Sequence, residues 1–160
     1  MSFFFTFSAH NIFLILSEVI WDNRKLNCDF GQVCLVTVDG TDFRILEPYP
    51  FNPKWYSHKF KGPGVRYEIA VCIKTGWIVW VNGPFPCGSF PDLEIAKLGL
   101  HYMLDDNEKY IADGGYRCAF EDRSRTPTGS WRISDLAESA ARARHECINR
   151  KLKEFNCLQF

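Results

Sequence analysis

The chain has 160 residues, 46% of them hydrophobic and 24% charged, with 19 basic and 19 acidic side chains. This length and composition predict one globular domain with its own hydrophobic core. A net charge of zero excludes a uniformly basic nucleic-acid binder but leaves room for a locally basic face. The seven cysteines form no CxxC pair, which argues against a zinc clamp, and their odd number indicates reduced thiols in an intracellular protein.

The first twenty residues, MSFFFTFSAHNIFLILSEVI, are strongly apolar and are followed by the polar residues 21–32. We interpret residues 1–30 as an N-terminal apolar helix and a connector, outside a domain that spans residues 31–160. A targeting segment is the alternative interpretation, because the length alone permits it. No positive start or small-residue cleavage site is clear, and a membrane span would carry His10, Asn11 and Glu18 through hydrocarbon. We therefore expect no membrane association.

The next part of the chain has the composition of strands. Residues 33–38 are a short β-branched run, which predicts a buried strand that ends at Asp39 and Gly40. Region 47–64 contains four prolines and is predicted to be mostly irregular. Residues 66–73 and 77–82 are β-rich and flank a short segment with Gly76, a pattern typical of a β-hairpin.

Helical patterns dominate the second half. The segment DLEIAKLGLHYML after Pro91 predicts a helix, residues 109–112 predict a short strand that leads to Asp113, and residues 134–155 predict a long final helix. An apolar stripe on the final helix is predicted to face the sheet: Leu136, Ala140, Ala143, Cys147 and Phe155. This order of elements predicts an α/β fold, a mixed sheet flanked by helices, in which the strand before Asp113 runs parallel to its neighbour.

Three carboxylates are placed where a sheet scaffold would bring them together. Asp39 and Asp113 each follow a predicted strand, and sites in open α/β sheets gather at the carboxyl ends of strands. Glu146 lies beside the apolar stripe of the final helix, from which it can reach the same edge. We predict that all three are catalytic and metal-binding. Two Mg²⁺ or Mn²⁺ ions about 4 Å apart would be bridged by Asp39, with Asp113 and Glu146 each completing one side.

Basic and aromatic side chains accompany these acids. Residues 142–153 include five Lys or Arg side chains, and the loop over 54–66 mixes cations with aromatic rings. Such groups bind phosphates in a salt-dependent way and stack on bases. The predicted DNA-binding residues are Lys54, His58, Lys59, Lys61, Arg142, Arg144, Asn149, Arg150 and Lys153.

Plainer interpretations exist for each part of this pattern. An Asp-Gly pair, as at Asp39 and Asp113, is also typical of a tight turn. Glu146 could be a surface acid that pairs with Arg142 or Arg150 one helical turn away. The basic run could be an ordinary solvated helix face.

Two other motif matches fail on a single residue each. The His145-Glu146 pair suggests a zinc protease, but Asn149 stands where the second histidine of that motif is required. The DGT sequence at 39–41 suggests an aspartyl-phosphate phosphatase, but Thr37 stands where its nucleophile is required. Neither interpretation is retained.

Taken together, the motifs resemble a known family. The segments VDGTDF, WYSHKFKGPGVRYEIAVCIKTGWIVWVNGPFPCG, ADGGY and RARHECINRKLKEF, in this order, are similar to the catalytic domain of DDE transposases, in particular the Harbinger-type and related superfamily endonucleases. The resemblance covers residues 30–160. It implies a ribonuclease H-like fold and divalent-metal-dependent cleavage of DNA phosphodiesters with strand transfer, and it assigns the DDE triad to Asp39, Asp113 and Glu146.

The resemblance also implies partners and a compartment. Transposon ends and target DNA are the implied ligands, a homo-oligomer and a separate DNA-binding protein are the implied partners, and the nucleus is the implied location. The chain departs from the family because it shows no N-terminal helix-turn-helix and stops at Phe160, soon after the triad helix. We therefore expect a transposase fragment. The alternative is a catalytically inactive transposon remnant or a domesticated DNA-binding or interaction protein.

Overall fold

A six-stranded sheet forms the centre of the fold. Its strands are β1 (Cys34–Arg44), β2 (Tyr56–Ser57), β3 (Gly62–Cys72), β4 (Ile78–Pro86), β5 (Lys109–Ile111) and β6 (Ser124–Arg125). The structure is a computed structural model that describes residues 19–29, 31–118, 123–126 and 133–154, with side chains of the last segment from residue 135. The predicted N-terminal apolar helix therefore lies outside the described residues, as does Phe155 of the predicted apolar stripe.

The sheet joins an antiparallel part to a parallel part. β1 pairs antiparallel with β3, which pairs antiparallel with β4 and, at its start, with β2. On its other edge β1 pairs parallel with β5, and β5 pairs parallel with β6. Neighbouring strands therefore follow the order β4-β3-β1-β5-β6, with β2 also beside β3. The predicted α/β class, the mixed sheet, the β3–β4 hairpin and the parallel strand before Asp113 are confirmed.

Helices flank the sheet. The α-helices are α1 (Asp92–Leu98), α2 (Leu100–Met103) and α3 (Ile133–Glu154), and short 3₁₀ helices cover Trp21–Lys25, Pro53–Trp55 and Gly114–Tyr116. The prediction of one helix over residues 92–104 is wrong, because Gly99 separates α1 from α2. A Cβ at position 99 would lie 2.6 Å from the Asn82 amide nitrogen and 3.0 Å from the Trp80 ring, so glycine permits this close approach to β4.

β1 is longer than the sequence pattern predicts. The predicted strand ended at Asp39 and Gly40, but β1 continues to Arg44, and Asp39 pairs with Ile69 of β3. The tight-turn interpretation of Asp39-Gly40 is therefore wrong. Pairing with β3 along this length holds Gly40 in the strand, whereas pairing with β5 reaches only Thr37. Asp39 thus lies just beyond the end of the parallel ladder.

The hydrophobic core has two parts, one on each face of the sheet. The larger part lies against α1 and α2 and includes Val36, Val38, Ala70, Ala96 and Leu100. The smaller part lies against α3 and consists of Cys34, Ile111 and Ala141. Because successive strand residues point to opposite faces, Gly40 faces α1 whereas Thr37 and Asp39 face α3.

Residues 21–25, within the predicted connector, pack onto this domain. Arg24 is 1% exposed, and its Nε and Nη2 donate to the two carboxylate oxygens of Glu108 at 2.9 and 3.0 Å. The Trp21 ring meets the Trp80 ring edge-on, with centroids 5.8 Å apart. A buried ion pair and an aromatic contact therefore attach this segment to β4 and to the loop before β5.

The cysteines and the helices of the described residues have one further property each. Every cysteine within the described ranges carries a free thiol, and Cys157 lies outside them. None of their helices is long and apolar enough to cross a bilayer.

Candidate functional site

One small pocket opens where β1 and β5 end their parallel pairing. Its lining residues are Thr37, Val38, Asp39, Asp113, Arg142, His145 and Glu146. The three carboxylates predicted as a triad therefore line the same pocket. They come from β1, from the loop after β5 and from α3. The pocket's cavity volume of about 20 Å³ is enough for a water molecule or an ion but not for an organic cofactor.

Asp39 is half-buried and extends from β1 towards α3. Its Oδ2 accepts a hydrogen bond from Asn149 Nδ2 at 2.9 Å. Burial raises the pKa of Asp39, the carboxylates of Asp113 and Asp92 raise it further, and the Lys59 ammonium opposes them. The pocket therefore concentrates negative charge that a bound cation would neutralise.

Asp113 follows β5 and is half-buried. It is the N-cap of the 3₁₀ helix Gly114–Tyr116, and its Oδ1 accepts a hydrogen bond from the Gly115 backbone N–H at 2.8 Å. Asp113 thus makes the hydrogen bond to the backbone that is typical of an Asp-Gly turn. The same side chain lines the pocket, so the turn fixes this carboxylate at the edge of the sheet.

Glu146 lies on α3 at the rim of the pocket and is exposed. Across the described ranges, no three His, Cys, Asp or Glu side chains form a group able to hold a metal ion. The fold therefore brings the three carboxylates to one pocket without closing them into a complete coordination shell. Their chemistry fits Mg²⁺ or Mn²⁺, which prefer carboxylate oxygens and usually retain several waters.

The face that α3 turns towards the sheet has two polar residues out of three. Ala141, His145 and Asn149, spaced four residues apart, are 8%, 2% and 7% exposed. The predicted apolar stripe is wrong. Its described members are all exposed: Leu136, Ala140, Ala143 and Cys147. The buried face includes two polar residues because it meets Thr37 and Asp39 of β1, whose side chains require hydrogen-bonding partners.

His145 is a pocket residue that the sequence pattern did not predict. Its Nδ1 lies 2.8 Å from Thr37 Oγ1, and its Nε2 has no hydrogen-bond partner among the described residues. Burial lowers the pKa of His145 to about 4; the contact with Thr37 opposes this change, whereas Arg142 adds to it. The imidazole is therefore neutral near pH 7, and its Nε2 can donate or accept one hydrogen bond.

Asp92, the first residue of α1, is an acid near Asp39 and Asp113 that the sequence pattern did not reveal. Arg66 Nη1 lies 3.1 Å from its Oδ1. Burial raises the pKa of Asp92, the Arg66 guanidinium opposes this, and Asp113 adds to it. A Cβ at Gly40 would clash with Asp92 Oδ1, so glycine at this position makes room for the acid.

Arg66 is the centre of a buried ion network. Its Nε and Nη2 donate to the two oxygens of Asp42 at 2.7 and 3.0 Å, and Ser57 Oγ donates to Asp42 Oδ2 at 2.7 Å. Burial alone would raise the pKa of Asp42, but the hydrogen bonds from Arg66 and Ser57 outweigh it and leave the pKa lowered. The network connects β1, β3 and α1.

The predicted DNA-binding residues occupy three kinds of position. Lys59 Nζ donates to the Gly40 carbonyl at 3.1 Å, and Arg142 lines the pocket, so both cations lie close to the carboxylates. Asn149 is buried, and its amide donates to Asp39 instead of facing solvent. The remaining members are exposed and have no place in the pocket lining: Lys54, His58, Lys61, Arg144, Arg150 and Lys153.

Comparison with known proteins finds no relative: no protein-family model, no curated protein and no solved structure matches this chain.

Proposed function

We propose that the chain is a DDE transposase-derived endonuclease domain that cleaves DNA phosphodiesters with Mg²⁺ or Mn²⁺ and transfers the freed strand. The observation that carries this proposal is the pocket that Asp39, Asp113 and Glu146 line together. These residues come from three distant segments, and their order along the chain is that of the triad in the family that the motifs resemble. Acidic residues gathered at one sheet edge are what a two-ion phosphodiesterase requires.

The sheet order supports a ribonuclease H-like fold. Three antiparallel strands, β4, β3 and β1, are followed by the two parallel strands β5 and β6. The pocket lies at the carboxyl ends of the parallel ladder, where α/β sheets collect their ligands. Both features agree with the fold that the motif resemblance implies.

The chain's own groups have distinct roles in this proposal. Asp39, Asp113 and Glu146 would hold the ions, which would supply an activated water and stabilise the leaving oxygen. Lys59 and Arg142 lie close enough to the carboxylates to attract a phosphate into an otherwise acidic site. His145 Nε2 provides a neutral hydrogen-bonding group in the same pocket.

The exposed cations on the 54–61 loop and on α3 would contact the DNA backbone outside the pocket. Transposon ends and target DNA are the proposed ligands, a homo-oligomer and a separate DNA-binding protein are the proposed partners, and the nucleus is the proposed location.

One observation favours a second candidate function, a catalytically inactive remnant or a domesticated DNA-binding or interaction protein. In the part of the chain that the structure describes, the carboxylates do not form a metal-holding group, and Glu146 is exposed. Such a protein would retain the basic surface and bind DNA in a salt-dependent way without cutting it.

Nicking of supercoiled plasmid DNA by the full chain separates the two functions. We expect nicking with Mn²⁺ and none with EDTA. Asp113→Asn should abolish it because the substitution removes a charged oxygen ligand, while salt-sensitive DNA binding, measured by fluorescence anisotropy, stays at the parent level. Asp106→Asn is the matched control: Asp106 is exposed, so the same chemical change should leave nicking intact.

Equal nicking by Asp113→Asn and the parent would contradict the proposed active site. A parent chain that binds DNA with normal salt dependence but never nicks it, at any Mn²⁺ concentration, would establish the second candidate instead.

A further inference from the structure

Two polar contacts join α3 to β1. Thr37 Oγ1 lies 2.8 Å from His145 Nδ1, and Asn149 Nδ2 donates to Asp39 Oδ2 at 2.9 Å. The two helix residues are four positions apart, which corresponds to about 6 Å along a helix. The two strand residues are two positions apart, which corresponds to about 6.7 Å along a strand. Because these spacings nearly match and run in the same chain direction, α3 meets β1 in register at both points.

We propose that Asn149 is a positioning residue, whose buried amide holds the Asp39 carboxylate in the orientation that receives a divalent cation. The inference rests on the proposed function, because it takes Asp39 as a metal ligand. A carboxylate has about four lone-pair sites, so one hydrogen bond at Oδ2 leaves acceptors for an ion. Mutation of a residue that holds a metal ligand in this way typically weakens metal binding by about 10- to 100-fold.

The chemistry of the amide suits this role. Asn149 is neutral, so it fixes Asp39 without cancelling the negative charge that attracts a cation, as an Arg or Lys would. Asn149 is 7% exposed, so water has little access to its amide. Its Oδ1 finds no hydrogen-bond partner among the described residues, which leaves the contact with Asp39 as the feature that explains its position.

The contact between Thr37 and His145 should keep α3 on the sheet when Asn149 is replaced, so the role of Asn149 can be tested by itself. Truncation of Asn149 removes the bond to Asp39 but leaves the second buried contact and Ala141 in place on the same helix face. We therefore expect Asn149→Ala to fold with α3 on the sheet and with an Asp39 side chain that samples several rotamers.

The test is the Mn²⁺ dissociation constant of the full chain, measured by calorimetry without DNA. We expect binding to Asn149→Ala to be about 10- to 100-fold weaker than binding to the parent. Cys147→Ala is the matched control, an exposed position on the same helix, and should leave the constant unchanged. Asn149→Ser, which restores a short donor, should recover part of the affinity. Far-UV circular dichroism checks that each variant is folded.

A second measurement needs no variant. In the ¹⁵N-labelled parent, the side-chain NH₂ signals of Asn149 should shift on addition of Mg²⁺ with the dissociation constant that calorimetry gives for the same ion. Signals that do not move while Mg²⁺ binds would overturn the positioning role.

The outcomes separate this inference from the proposed function. Equal Mn²⁺ affinity of Asn149→Ala and the parent, with DNA nicking intact, would overturn the role of Asn149 alone. The parent could instead bind Mn²⁺ but never nick DNA. If Asn149→Ala then binds Mn²⁺ more weakly than the parent, the role of Asn149 is supported and the nuclease activity is overturned.

Discussion

Lys59 Nζ donates a hydrogen bond to the carbonyl oxygen of Gly40 at 3.1 Å, directly beside Asp39 in β1. The ammonium is near enough to oppose the rise in the pKa of Asp39 that burial and neighbouring acids cause. In the absence of a metal ion, the Lys59 ammonium therefore offsets part of the negative charge of the pocket carboxylates. It is the one predicted DNA-binding residue of the 54–61 loop that a described hydrogen bond attaches to the strand carrying Asp39.

This arrangement predicts opposite effects of Lys59→Met on two ligands. Mn²⁺ should bind severalfold more tightly, because a competing cation is removed from beside Asp39. DNA should bind more weakly, with the slope of log K against log salt reduced by about 0.9, the value for one phosphate contact. Calorimetry and fluorescence anisotropy measure the two quantities. Lys61→Met, at an exposed neighbouring residue, should weaken DNA binding and leave the Mn²⁺ affinity unchanged. An unchanged Mn²⁺ affinity in Lys59→Met would contradict the placement of the Lys59 ammonium.

Arg66→Met should destabilise the fold strongly. The Arg66 side chain pairs with both Asp42 and Asp92, and its loss leaves the buried Asp42 and the half-buried Asp92 without this cation. Breaking a buried ion pair from one side costs about 3–5 kcal/mol, and urea unfolding measures it. Arg44→Met, at an exposed residue, should cost less than about 1 kcal/mol. Similar losses for the two variants would show that the Arg66 network does not hold β1, β3 and α1 together.

Glu68 gives the fold a predictable dependence on pH. It is fully buried on β3, Trp80 Nε1 donates to its Oε1 at 3.0 Å, and burial raises its pKa to about 7, with a further contribution from Asp92. Between about pH 4.5 and 7 the folded chain retains a proton that the unfolded chain has released. The contribution of Glu68 to stability therefore falls as the pH rises through this window.

Glu68→Gln removes that dependence because the amide is neutral at every pH. At pH 8 the free energy of unfolding should rise by on the order of 3 kcal/mol, whereas at pH 4 it should not change. His145, whose pKa is lowered to about 4, contributes the opposite slope between about pH 4 and 6.5, so each variant must be compared with the parent at the same pH. Glu47→Gln at an exposed site is the control. A gain of equal size at both pH values would contradict a protonated Glu68.

Gly40→Ala tests the packing of Asp92 against β1. An added Cβ would clash with Asp92 Oδ1 and displace the ion pair with Arg66, so we expect a loss of about 1–3 kcal/mol in the free energy of unfolding. Gly114→Ala is the matched control, because a Cβ there meets nothing within 4 Å. An unchanged free energy of unfolding in Gly40→Ala would show that Asp92 does not pack against β1.

Sequence patterns predicted the elements whose buried faces are apolar. The β3–β4 hairpin and the strand before Asp113 are β-rich runs whose apolar side chains enter the core, so periodicity and turn residues were sufficient. The second half of β1 was missed because two of its buried residues are polar. Thr41 and Asp42 are 1% and 4% exposed, and Asp42 is buried only because Arg66, from another strand, is paired with it.

The same limit applies to the site. Hydrophobic periodicity assigned the wrong face of α3, because the buried His145 and Asn149 are matched to Thr37 and Asp39 by hydrogen bonds and not by apolar packing. Asp92 looks like an ordinary acid at a helix start until the fold places it against Gly40. The triad residues could be selected from their motifs, but the side chains that hold them depend on contacts between segments far apart in the chain.

The most direct test of the central claim is an anomalous difference map from crystals of the full chain soaked in Mn²⁺. We expect a peak in the pocket with oxygens of both Asp39 and Asp113 about 2.1 Å away, and a second peak about 4 Å from the first if DNA is present to complete the shells. Well-occupied Mn²⁺ sites elsewhere on the protein, with no peak in contact with either aspartate, would contradict the account.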